Sequence, residues 1–130
     1  MNPYDQELEK IKQVLETYFE AAYCKDLERL REIFHPQASM YGYLAGELVL
    51  GSPELFIQDI GARPSMREEG IDCRCIVKSI CMTKDTATAV VAEDNFFGSF
   101  CFEDSFQLLK ADGTWKIVSK LFTTIDEWTI

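Results

Sequence analysis

From Ile71 onward, apolar residues recur at every second position, in four runs separated by only two or three residues. That period sends successive side chains to opposite faces of a strand. The runs read as strands over about 71–83, 86–97, 100–110 and 114–125, joined by Lys84-Asp85, Gly98-Ser99 and Ala111-Asp112-Gly113. Links this short close hairpins, whereas a parallel crossover takes a dozen residues or more, so the strands are expected to be antiparallel neighbours. Gly98 can take a positive φ, and Asp-Gly is a strong hairpin signal.

The N-terminal half has the other period. Leu8, Ile11, Leu15, Tyr18 and Ala22 form a helical stripe, with Asn2 placed to cap and Pro3 at the first helical position. Asp26 can cap a second helix carrying Leu27, Leu30 and Phe34, with Pro36 as its limit. Ser39 to Leu50 reads as a short hairpin around Ala45-Gly46. Ser52-Pro53-Glu54 starts a third helix with Ser as its cap, running to about Ile60 before Gly61 and Pro64. No repeat or linker divides the chain. The expectation is one α+β domain over residues 1–130, a curved antiparallel sheet wrapped around three N-terminal helices as a cone with a hollow.

Composition narrows the function classes. With 47% hydrophobic residues in 130, a core is available and disorder is excluded. No apolar run approaches the roughly 20 residues of a membrane span. Lys and Arg number 13 against 22 Asp and Glu, and a net charge of −9 repels phosphate backbones, so no nucleic-acid partner is expected. The opening Met1-Asn2-Pro3-Tyr4-Asp5 has no basic segment followed by an apolar one, and a cytoplasmic location is expected. Cys24, Cys73, Cys75, Cys81 and Cys101 then read as free thiols. Positions 73, 75, 77, 79 and 81 fall on one small apolar face, which argues for packing rather than a metal.

Three segments carry a resemblance. Leu15-Glu16-Thr17-Tyr18-Phe19 with Lys25-Asp26-Leu27 and Phe34-His35-Pro36-Gln37-Ala38 form the first. Phe102 to Lys110 and Asp112 to Lys120 form the others. Together they resemble the nuclear transport factor two-like superfamily (cystatin-like fold), in its putative lumazine-binding branch near the SnoaL-like polyketide cyclases. The resemblance spans about residues 7 to 125 and implies the cone-shaped α+β fold and ligand binding. It does not settle chemistry, because the superfamily spans isomerases, dehydratases, cyclases, binding proteins and adaptors.

Asp104 is the foremost chemical candidate. Strict alternation sets it on one face with Phe100, Phe102, Phe106 and Leu108, where a carboxylate needs a donor, a wet cavity or a retained proton. It reads either as a pocket acid or base, or as a structural hydrogen-bonding group. His35, the only histidine, could act as a base or simply mark a helix exit. Of Glu93 and Asp94 one points inward, and alternation does not say which. Asn95 is a candidate cavity polar group, and Lys120 either pairs with a sheet carboxylate or is solvated. Tyr18, Phe34, Tyr41, Tyr43, Phe56 and Phe106 are the aromatics expected around the hollow. No cofactor or metal is expected, since phosphate loops and two-histidine motifs are absent from the sequence.

The leading reading is a binding protein for a small apolar or aromatic ligand. The alternatives are a cofactor-independent proton-transfer enzyme (isomerase, dehydratase or cyclase-like) using Asp104, and an interaction module whose hollow is filled by its own side chains. Val90, Phe96, Val118 and Phe122, read as an apolar outer face, point to a homodimer.

Overall fold

The computed structural model describes residues 2–126. Helix α1 (Pro3–Cys24) opens where expected: the Asn2 side chain accepts from the Asp5 N–H at 2.9 Å, and Pro3 occupies the first turn. It ends at Lys25, whose φ of 60° stops the helix in the left-handed region. Ile11, Leu15, Tyr18, Ala21 and Ala22 form its buried stripe. Helix α2 (Leu27–Glu32) is capped by Asp26 through the Arg29 N–H. Strands β1 (Phe34–Leu44) and β2 (Glu47–Gly51) precede α3 (Glu54–Gly61), and β3 (Arg74–Thr83), β4 (Thr86–Phe96), β5 (Phe100–Ala111) and β6 (Thr114–Ile125) follow. The result is an α+β cone, with three helices against one curved six-stranded sheet of order β2-β1-β6-β5-β4-β3.

The late strands are antiparallel as expected, but β1 joins β6 in parallel. That pairing corrects two boundaries. Phe34 opens β1 instead of ending α2, and the first strand of the hairpin starts at 34, not 39, because the Ile117 N–H bonds to the Ile33 carbonyl. At α3, Pro53 rather than Ser52 stands at the cap position. Gly42 in β1 lies directly opposite Phe122, where a Cβ would collide with the Phe122 carbonyl oxygen and ring. Only glycine allows that approach.

Besides a register shift between Phe34 and Ser39 in the β1–β6 pairing, three irregularities break the alternation of the late strands. In β3, Val77 pairs with Val91 and Ser79 with Val90, leaving Lys78 bulged. After the bulge, Ile80 and Met82 pack against the core and Cys81 is exposed. The five-residue face from Cys73 to Cys81 is therefore not one face. In β6, Gln107 pairs with Ser119 and Leu108 with Ile117, leaving Val118 unpaired. Trp115 and Ile117 point inward before it, Lys120 and Phe122 after it. In β4 the register shifts between Glu93 and Phe96, at Asn95 with a φ of 58°. An extra residue reverses which parity faces the core. Phe96 and Phe122 are thus buried inside, which corrects their assignment to an outer face.

The core divides along the cone. At the closed end, Ile11, Leu15, Leu30, Ile57, Leu108, Trp115 and Ile117 pack together, each almost fully buried. There Glu7 accepts from Lys110 Nζ at 2.8 Å and from the Trp115 indole at 2.7 Å, pinning α1 to the β5–β6 hairpin. At the open end a second cluster holds Met40, Met66, Phe96, Phe102 and Phe122. The Glu127-Trp128-Thr129-Ile130 extension, expected either to pack across a dimer or to fray, lies outside the described residues.

Candidate functional site

Between the two clusters lies a cavity of about 230 Å³. Its walls are apolar: Met40, Val49, Phe56, Phe96, Phe102 and Phe122, with Phe97 and Phe100 toward the rim. Asp59 and Arg63 stand at that rim, joined by an ion pair at 3.1 Å, with the Arg63 guanidinium 4.1 Å above the Phe97 ring. The floor is different. Glu93, Asp104, Lys120 and Tyr18 line it from β4, β5, β6 and α1.

The sheet register explains how three ionisable groups meet. Asp104 pairs with Val91 on one side and Phe122 on the other. Glu93 and Lys120 are each offset two residues from those partners, so both are diagonal neighbours of Asp104 on the concave face. Glu93 is 1% exposed, Asp104 2% and Lys120 5%. The Tyr18 hydroxyl donates to Asp104 at 3.5 Å, a long bond. Lys120 Nζ sits 3.4 Å from the Phe56 ring centroid and 5.2 Å from that of Tyr18. Among the described residues, both Glu93 carboxyl oxygens are buried without a hydrogen-bond partner.

Burial sets the charge states. It pushes the Glu93 carboxyl well above the usual carboxylate range, and the neighbouring Asp104 pushes the same way. Burial also lowers Lys120, opposed by the attraction of Asp104 and Glu93. The Tyr18 hydroxyl is raised by burial first and by Asp104 second. The floor therefore combines an acid whose protonated form is favoured by burial, a second carboxyl group and a lysine, set among aromatic rings. Cys73 is pushed up to about 12 by burial, and Cys75 is raised for the same reason, so neither is an activated nucleophile.

Of the residues singled out in the sequence, Asp104, Tyr18 and Phe56 line the cavity. Phe34 and Phe106 are buried behind it, edge-on to Tyr18 at 6.3 and 4.9 Å. Tyr41 and Tyr43 are corrections: 47% and 50% exposed, they occupy the opposite face of β1 from the cavity-lining Met40. Asn95 turns away, its side-chain amide donating to the Asp72 carbonyl at 3.2 Å. His35 accepts the Gln37 N–H at 3.0 Å at the start of β1, away from the cavity. Glu93 is the inward member of its acidic pair, and Asp94 bonds Arg74 on the outside.

Lys120 was legible only as ambiguous, because its inward turn depends on the bulge at Val118. For Glu93 a signal was available: it continues the small inward series Ala87, Ala89 and Val91.

Comparison with known proteins gives the same fold and a family. The sequence profile described as Putative lumazine-binding matches residues 6–123. The aldolase FrzH of Cladobotryum sp. is 31% identical over 105 residues, 81% of each chain. A crystal structure of an NTF2-like protein of unknown function from Shewanella baltica OS155 is 27% identical with a TM-score of 0.84, covering 98% of this chain and 100% of its own. Another, from Silicibacter pomeroyi DSS-3, is 26% identical with a TM-score of 0.84, covering 96% and 100%.

Proposed function

The chain belongs to the Putative lumazine-binding family of NTF2-like proteins, and we propose that its cavity binds a compact, flat, mostly apolar molecule by aromatic contact and one polar edge. The observation that carries this reading is the Glu93–Asp104–Lys120 group on the floor of an apolar cavity. Burying ionisable groups costs several kcal/mol, and perturbed groups gathered in a cleft mark functional sites. A cavity of roughly 150 Å³ accepts benzene, so about 230 Å³ suits one or two fused rings. Native mass spectrometry of protein purified from its own cells tests the reading. A retained small molecule that is lost on filling the cavity with Met40→Trp supports it; ligand-free protein whose Tm no one- or two-ring compound raises contradicts it.

A second reading is favoured by the two neighbouring acids on the floor. A carboxyl group whose proton is favoured by burial, set beside a second carboxyl group, suits roles in proton transfer. Asp104 would take a proton beside a ligand carbonyl, and the protonated Glu93 would donate to the developing oxyanion. The resemblance to an aldolase supports chemistry at such a carbon. Asp104→Asn is then expected to abolish turnover while leaving much of the binding.

We also propose a homodimer, on different residues from those first expected. Tyr41 pairs with Leu50 and Leu121, and Tyr43 with Leu48, so one exposed apolar patch runs across β2, β1 and β6. A second copy would cover it. Light scattering on Leu121→Glu should then give a monomer. Five thiols free of cross-links fit a reducing, cytoplasmic compartment.

A further inference from the structure

We propose that Lys120 forms a reversible imine with an aldehyde or ketone bound in the cavity, making this a covalent carbonyl-capture site. The inference rests on the cavity being a ligand site, and adds which chemical class it takes and which atom bonds to it.

The geometry supplies each part. Lys120 Nζ lies at the cavity floor against the Phe56 ring, with no hydrogen bond or ion pair among the described residues. An amine is a nucleophile only when unprotonated, and apolar surroundings favour that form. Burial lowers Lys120 in the same sense. Asp104, on the neighbouring strand β5, and Glu93, one strand further on β4, line the same cavity as acceptor and donor. A retained proton on Glu93 fits a carboxyl group that is buried without a hydrogen-bond partner among the described residues.

The steps balance without an oxidant or reductant. The ammonium gives one proton to the Asp104 carboxylate. The nitrogen lone pair forms a C–N bond to the carbonyl carbon, the C=O π pair moves to oxygen, and that oxygen takes the Glu93 proton. Nitrogen then returns a proton to Glu93. The carbinolamine hydroxyl leaves as water with the proton held by Asp104, and the nitrogen lone pair closes the C=N bond. One carbonyl compound and one ammonium become one iminium ion and one water.

The test is reductive trapping with benzaldehyde and sodium cyanoborohydride near pH 7, read by intact mass and peptide mapping. Because the cavity holds a bound aldehyde against its Nζ, Lys120 should be benzylated about tenfold or more faster than exposed Lys10. Lys120→Met should lose that adduct alone, and Glu93→Gln should slow it. Benzyl alcohol, which fits but cannot condense, separates the two claims by thermal shift. If it raises the Tm of wild type and Lys120→Met while Lys120 reacts no faster than Lys10, imine capture is overturned and ligand binding stands. If it raises neither and Lys120 is not trapped, both fall.

Discussion

Glu7 and Glu93 are the same side chain in opposite circumstances. Glu7, at the closed end, accepts from Lys110 and the Trp115 indole, and these bonds lower its carboxyl to about 2. Glu93, at the open end, has neither oxygen hydrogen-bonded among the described residues, and burial, with Asp104 beside it, raises it. One acid joins a helix to a hairpin and strengthens the fold. The other weakens the fold and is tolerated where a cavity can use it. Partners, rather than burial alone, separate a structural acid from a chemical one.

The sharpest break between the ends lies in packing. Ile117→Ala at the closed end should cost about 2–5 kcal/mol in urea unfolding, because a filled interior loses contacts and gains a void. Phe100→Ala at the cavity rim should cost about 1 kcal/mol or less, since its ring already borders empty space. Equal losses would dissolve the distinction.

The two glutamates should respond with opposite signs. Glu7→Gln should lower Tm at pH 7. A lowered carboxyl stabilises above its ordinary value of 4.5, and that contribution is lost as pH falls toward about 2, where the variant and wild type should converge. Glu93→Gln should raise Tm at pH 7. A raised carboxyl makes the folded state hold a proton that the unfolded state releases above 4.5, so wild-type stability falls as pH rises from there. The gain from Glu93→Gln should vanish near pH 4. Calorimetry of both variants across pH checks each sign.

The smallest expected effect is at Tyr18. Its hydroxyl reaches Asp104 only at 3.5 Å, so Tyr18→Phe should cost under about 1 kcal/mol. A larger loss in chemical denaturation would make the Asp104 contact structural.

Much of this architecture is legible in periodicity and caps. The Asn2 and Asp26 caps, the tight late hairpins and the inward alternation of Phe102, Asp104, Phe106 and Leu108 are local signals. The parallel β1–β6 pairing is not, because it joins residues some eighty positions apart with no short link to announce it. The site was half legible for a related reason. Asp104 lies in an unbroken alternation, whereas Lys120 and Phe122 follow a bulge whose extra residue only the partner strand reveals. Tyr41 and Tyr43 misled because an aromatic on an expected strand has two faces to choose from, and theirs is the outer one.

The protonation of Glu93 is the central claim, and NMR titration of its carboxyl carbon in the intact protein tests it directly. The expected result is a signal that stays in the protonated form well above 4.5, the ordinary value for this side chain. An inflection at or below that ordinary value would contradict it and return Glu93 to the company of Glu7.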